Sequence, residues 1–114
     1  MKTLRARRRS RRRPARPAKR ERERDIVAAV KAFLDQVGAY YIRLVGGPML
    51  RHGLPDLIIC AGGRFIALEL KSTGRKPTRK QLEELNAVNS AGGVGLWADS
   101  TAKALSALKD VIDG

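Results

Sequence analysis

The chain has 114 residues and a formal net charge of +13, which is enough for one small domain with a hydrophobic core and too short for two. It contains one cysteine, Cys60, and one histidine, His52, which excludes an internal disulfide and a zinc site built from several Cys and His side chains. No apolar run approaches a membrane span, and the N-terminus lacks the hydrophobic segment of a secretory signal. We therefore expect a cytoplasmic protein with no membrane partner, and Cys60 buried as a small hydrophobe.

The positive charge is concentrated at the N-terminus. Residues 1–20 contain eleven Lys or Arg and no acid, so the rest of the chain carries only about +2. With so few apolar residues to offset the entropy of ordering, we expect a disordered basic tail over 1–20 and a folded domain over 21–114. A localisation signal and a solvated tail without a role are both possible, but guanidinium groups suit phosphate geometry and favour a nucleic-acid-binding arm. The tail arginines assigned to this role are Arg7, Arg8, Arg9, Arg11, Arg12 and Arg13.

The first predicted element is a helix that ends at Gly38. Glu23 lies on its apolar face, whereas Glu21 and Asp25 project to nearly the opposite side at about 100° per residue. One interpretation of Glu23 is an acid favoured by the helix macrodipole, and the other is a carboxylate that reaches a metal cluster. The apolar positions that define the helix are Ile26, Val27, Val30, Phe33, Leu34 and Val37.

Residues 40–45 are predicted to form a strand, and residues 46–53 a loop that leads toward Asp56 and lies where it can contact a substrate backbone. Arg43 and Arg51 are candidate phosphate contacts, although Arg43 is equally compatible with a paired charge on a strand. For His52, a solvent-facing loop position and a catalytic role are equally compatible with the sequence.

Two short apolar runs, residues 57–60 and 65–68, flank Gly62-Gly63 and predict a β-hairpin with both faces buried. Asp56 begins one strand, while Glu69 and Lys71 continue the other and share one face. A sheet interior does not hold such side chains unless they are paired or bind a metal. A purely structural ion cluster stabilises a small domain poorly, because desolvating each ion costs several kcal/mol. The pattern therefore predicts a hydrolytic site that binds a hard cation such as Mg²⁺, with Mn²⁺ able to substitute.

A polar, basic loop follows Lys71, and its Arg75 and Lys76 are candidate nucleic-acid contacts. The next helix is predicted from about residue 78 to 91. Thr78 and Gln81 fit a capping box at its start, but Gln81 also shares a face with apolar residues and is a candidate catalytic side chain; both interpretations stay open. Residues 94–98 are predicted to form the last strand, and Ser100 to start the last helix.

The predicted order is helix, strand, strand, strand, helix, strand, helix: an α/β arrangement in which helices flank a mixed sheet. Within it, Pro55-Asp56 followed by Glu69-Leu70-Lys71 resembles the motif of the PD-(D/E)xK nuclease superfamily. The resemblance extends over roughly residues 23–112 and is specific to the VRR-NUC branch, which is related to Holliday-junction resolvases. The segments that carry it are residues 53–58, 63–71, 74–81 and 91–94.

This resemblance implies a restriction-endonuclease-like core and a metal-dependent DNA endonuclease. In such a site Asp56, Glu69 and the backbone carbonyl of Leu70 bind the metal, and Lys71 orients or deprotonates the attacking water and stabilises charge on the phosphate. Glu23 would hold a second metal or a water bound to it. The resemblance further implies branched or structured DNA, such as a Holliday junction, as substrate and a symmetric homodimer as the working form. A nickase or end-processing nuclease, and an inactive nucleic-acid-binding module, are the alternatives.

Overall fold

The computed structural model describes residues 19–48 and 50–114, so most of the expected basic tail, with the six arginines assigned to nucleic acid, lies outside the described residues. The elements follow the predicted order. Their bounds are α1 Glu23–Gln36, β1 Tyr40–Arg43, β2 Leu57–Ala61, β3 Arg64–Leu70, α2 Arg79–Ser90, β4 Val94–Ala98 and α3 Thr101–Asp113.

The four strands form one mixed sheet in the order β1-β2-β3-β4. The β1–β2 and β2–β3 pairs are antiparallel, and β3 pairs in parallel with β4 through the connection that contains α2. The predicted α/β class with a mixed sheet between helices is therefore confirmed. β1 ends at Arg43, two residues earlier than expected, although the Leu44 N–H still donates to the Asp56 carbonyl at 2.8 Å.

The hydrophobic core lies on the sheet face that α1 and α3 cover. Side chains alternate along β2, where Leu57 and Ile59 are fully buried, and their cross-strand partners on β3 are Leu68 and Ile66. The helices contribute apolar positions at helical spacing, as the sequence predicts. The helical core residues are Ile26, Val27, Val30, Leu34, Ala104 and Leu108.

The opposite face of the sheet is only partly covered. α2 packs closely on β4, where a side chain at Gly95 would clash with the backbone of Leu85. Within the described chain no helix covers this face of β1 and β2, and one cross-strand row there, Tyr40, Cys60 and Phe65, is exposed. The prediction that both faces of the hairpin are buried is therefore wrong at Cys60 of β2 and at Phe65 of β3. The expected burial of Cys60 is wrong for the same reason.

None of the helices in residues 19–48 and 50–114 is both long and apolar enough to cross a bilayer.

Candidate active site

The antiparallel pairing of β2 with β3 brings Asp56 to the end of β3. Asp56 lies one residue before β2 and is half-buried, and its Oδ2 accepts a hydrogen bond from the Leu70 N–H at 2.7 Å. Its own backbone carbonyl is bonded to Leu44, as described above. The aspartate is thus held from both its side chain and its backbone, beside the segment that carries the glutamate and the lysine. A hydrogen bond from an N–H to a carboxylate is among the stronger kinds in proteins.

Glu69 is a buried carboxylate with an incomplete set of partners. The residue is 3% exposed, and its Oε2 lies 3.4 Å from the Nζ of Lys71. Its Oε1 is buried and has no hydrogen-bond partner in the described part of the chain. Most buried polar atoms in proteins are hydrogen-bonded, and exceptions often mark a site that completes itself with a ligand. The free oxygen of Glu69 therefore points to a missing partner.

The electrostatics of Glu69 support the same conclusion. Burial is the main cause that raises the pKa of Glu69 from 4.5 to about 7, and the negative charge of Asp56 is the next. Glu23 adds a smaller increase, while Lys71 lowers the pKa. One lysine therefore does not compensate for the carboxylates around it. A buried acid whose pKa lies near neutrality, beside a second carboxylate and a lysine, is typical of a functional site.

The residues present fit a hard divalent cation. Asp56 and Glu69 offer carboxylate oxygens, and Leu70, whose N–H is bonded to Asp56, lies between Glu69 and Lys71. Among the described residues, however, no three Asp, Glu, His or Cys side chains come close enough together to share one ion. Glu23 is half-buried in the first turn of α1 and acts on Glu69 through its charge, but the structure does not bring it into a ligand cluster with the other two acids.

No protein-family profile matches this chain, and no match is found among curated proteins. Among solved structures, one described as "VRR_NUC domain" matches with 21% sequence identity and a TM-score of 0.66, covering 76% of this chain and 94% of that chain. This chain has the fold of a VRR_NUC domain. The fold implied by the motif resemblance is thereby confirmed.

In this VRR_NUC fold, Gln81 forms the capping box of α2. Its Oε1 accepts from the Thr78 N–H at 2.8 Å, and its own N–H donates to the Thr78 hydroxyl at 3.2 Å. Of the two interpretations that the sequence leaves open, the cap is the one seen in the structure. A catalytic role for Gln81 stays a prediction, and it would use the side-chain amide nitrogen because the oxygen is engaged.

The loop between β1 and β2 lines an open cleft of about 460 Å³, and Asp56 lies at its end. Arg51, in this loop, is paired with Glu84 of α2 at 2.9 Å, so the phosphate contact expected of Arg51 would compete with this ion pair. His52 is exposed. Gly53 has a positive φ of +86°, a conformation that favours glycine, and it lies against the backbone of Lys80. A Cβ at Gly53 would come 2.9 Å from the Lys80 carbonyl oxygen. The loop therefore contacts α2 at two points, Gly53 and the Arg51–Glu84 pair.

The other predicted nucleic-acid contacts lie on the surface. Arg43, Arg75 and Lys76 are exposed, and none of them makes an ion pair within residues 19–48 and 50–114. Their assignment stays a prediction, and exposed cations without partners are compatible with it.

Sequence reasoning missed the role of Glu21, which was placed on the far side of the first helix. Glu21 lies before α1, and its carboxylate accepts hydrogen bonds from the N–H and the hydroxyl of Thr101 at the start of α3. Its backbone pairs with Thr73. Nothing local in the sequence indicates this contact, because Glu21 and Thr101 are 80 residues apart.

Proposed function

We propose that this protein is a metal-dependent nuclease that hydrolyses DNA phosphodiester bonds. The observation that carries the proposal is the buried Glu69, with one oxygen free of partners, beside Asp56 and Lys71 at the end of β3. The VRR_NUC fold of the chain supports a nuclease-like domain. A structural ion cluster is the competing explanation, and it would leave the free oxygen of Glu69 as an unrelieved cost to stability.

Asp56 and Glu69, together with the Leu70 carbonyl, would hold Mg²⁺, or Mn²⁺ in its place. When bound, such an ion polarises the scissile phosphate and lowers the pKa of the attacking water. Its positive charge would also replace the proton on Glu69, whose pKa of about 7 means that the group is partly protonated near neutral pH without a cation. Lys71, whose Nζ lies 3.4 Å from Glu69, would orient or deprotonate the water and stabilise negative charge that develops on the phosphate oxygens.

We propose branched or structured DNA, such as a Holliday junction, as the substrate, and a homodimer that acts on two strands as the working form. The exposed row formed by Tyr40, Cys60 and Phe65 begins on the edge strand β1, and it supports a surface that a second copy covers. Cytoplasmic localisation stays a prediction from composition alone.

The proposal is tested by incubating the full-length protein with a four-way junction, a flap, a nicked duplex and a linear duplex of matched sequence. Each reaction is run with Mg²⁺, with Mn²⁺ and with EDTA. We expect internal cleavage that requires the cation and is fastest on branched DNA. Cleavage restricted to ends or to one strand would favour an end-processing nuclease or a nickase. Binding to all four DNAs without cleavage of any would refute the nuclease and leave a nucleic-acid-binding module.

Glu23 provides a separate prediction about the site. We expect Glu23→Gln to lower the cleavage rate on the order of tenfold, as substitutions beside metal ligands commonly do. Because the Glu23 charge contributes to the raised pKa of Glu69, the acid limb of the pH–rate profile should also move to lower pH.

The matched control for Glu23 is Asp25→Asn, because Asp25 is exposed on the same helical turn and its ion pair with Arg22 is long, at 3.8 Å. Glu21 is unsuitable because its carboxylate accepts hydrogen bonds from Thr101 at the start of α3. Equal rates and pH profiles for Glu23→Gln and Asp25→Asn would show that Glu23 serves only the helix start.

A further inference from the structure

A second cleft, separate from the loop cleft at Asp56, lies where the N-terminal segment passes the loop after β3. It has a volume of about 540 Å³, and its lining includes Arg20, Arg22 and Arg75 together with the loop residues Ser72 and Thr73. Three arginines thus line one cleft from two segments that are about fifty residues apart in the sequence. We call this the arginine cleft.

The walls of the arginine cleft are held together by hydrogen bonds. The Glu21 N–H donates to the hydroxyl of Thr73 at 2.9 Å, and the Thr73 N–H donates to the Glu21 carbonyl at 3.0 Å. The Thr73 hydroxyl in turn donates to the carbonyl of Asp99 at 3.0 Å. The backbone segments that carry the arginines are therefore ordered before any ligand binds, which reduces the entropy lost on binding.

The acids near the arginine cleft are committed to bonds inside the protein. The Glu21 carboxylate is bonded to Thr101, which lowers its pKa. Asp99 accepts from the Gly74 N–H at 3.0 Å and pairs with Lys103 at 3.0 Å, and these bonds lower its pKa as well. Both carboxylates are thus occupied by donors other than the arginines.

The arginines have fewer partners than the acids. Arg22 has a long contact of 3.8 Å to Asp25. Arg20 and Arg75 are exposed and make no ion pair within the described residues. Within the described residues, neither of these guanidinium groups forms a salt bridge or donates a hydrogen bond, and a pair of guanidinium groups suits the geometry of a phosphate.

The arginine cleft is next to the candidate active site along the chain. Ser72 follows Lys71 directly, and Glu21 precedes Glu23 by two residues, which corresponds to about 7 Å of extended chain. The sequence also places the arginine-rich N-terminal residues directly before this point. The residues that line the cleft are therefore a short length of chain away from both Lys71 and Glu23.

We propose that the arginine cleft binds the phosphodiester backbone of the nucleic acid next to the scissile bond, with Arg20 and Arg75 as its principal contacts. This inference rests on the proposed nuclease function, because the cleft would place the substrate strand on Asp56, Glu69 and Lys71. Contacts of this kind position the strand and carry no sequence preference.

The test is the salt dependence of binding, measured on the full-length protein by fluorescence anisotropy with a labelled DNA duplex in EDTA, so that no cleavage occurs. Each phosphate contact contributes roughly 0.9 to the slope of log affinity against log salt. We expect Arg20→Gln/Arg75→Gln to lower that slope by roughly 1.8. In the cleavage assay the same variant should raise KM more than it lowers kcat, since uniform binding is lost.

The matched control is Arg64→Gln/Lys109→Gln, which removes the same charge elsewhere. Arg64 is at the opposite end of β3, roughly 20 Å from Leu70, and Lys109 lies over Phe33. An unchanged slope in the Arg20/Arg75 variant, or an equal fall of the slope in the control, would refute DNA binding by the arginine cleft even if the wild type is shown to cleave DNA. A fall confined to the Arg20/Arg75 variant would support it, and would do so even if no DNA is cut.

Discussion

Alanine at Asp56, Glu69 or Lys71 is expected to abolish cation-dependent DNA cleavage. Asp56 and Glu69 are the proposed cation ligands, and the Nζ of Lys71 lies 3.4 Å from the Oε2 of Glu69. Each substitution therefore removes a group proposed to act at the reacting phosphate. The loss of the lysine alone should lower the rate by about 10² to 10⁴, the usual range for a proton-transfer group. The measurement is the single-turnover cleavage rate, with circular dichroism to confirm folding.

Two further variants separate chemistry from folding. Asp56→Ala also removes the acceptor for the Leu70 N–H, so Asp56→Asn, which keeps an oxygen there, is the cleaner test of metal binding. Asp110→Asn, which changes an exposed acid on α3, is the matched control and should cut normally.

Calorimetry at pH 8 should show weaker Mg²⁺ binding for the Asp56 and Glu69 variants and nearly normal binding for Lys71→Ala. Full activity in any one of the three alanine variants would refute the assignment.

Glu69→Gln is expected to stabilise the metal-free protein at high pH while abolishing its activity. The pKa of Glu69 is about 7 in the folded protein against 4.5 for the ordinary carboxyl, so between these values the folded state binds more protons than the unfolded state. The free energy of unfolding therefore falls as pH rises through this window, by roughly 3 kcal/mol in all. Glutamine cannot ionise and avoids this loss.

Urea unfolding in EDTA at pH 5 and pH 8 measures the effect. The variant should exceed the wild type by about 1 to 3 kcal/mol at pH 8, less than the full loss because the buried amide has unmet hydrogen bonds of its own. At pH 5 this advantage should be smaller by roughly 2.5 kcal/mol. Mg²⁺ should then raise the melting temperature of the wild type at pH 8 and leave that of Glu69→Gln unchanged. Glu69→Gln less stable than wild type at pH 8 would mean that Glu69 is a paired structural group.

The order of elements and the residues of the motif were predictable because their signals are local. Helical spacing in α1, the short apolar runs of β2 and β3, and the caps at Thr78 and Ser100 each involve residues a few positions apart. The shared face of Glu69 and Lys71 follows from the two-residue period of a strand. The sequence alone therefore determined the α/β class and the pairing of the two side chains.

Only the tertiary structure decided which groups are covered and which are paired. The exposure of Cys60 depends on α2 packing over β3 and β4 rather than β2, and no local pattern specifies that placement. The bond from Glu21 to Thr101, the Arg51–Glu84 pair and the raised pKa of Glu69 arise between segments distant in the chain. Burial and electrostatic environment are properties of the packed chain, because each depends on every neighbour that excludes water from the group.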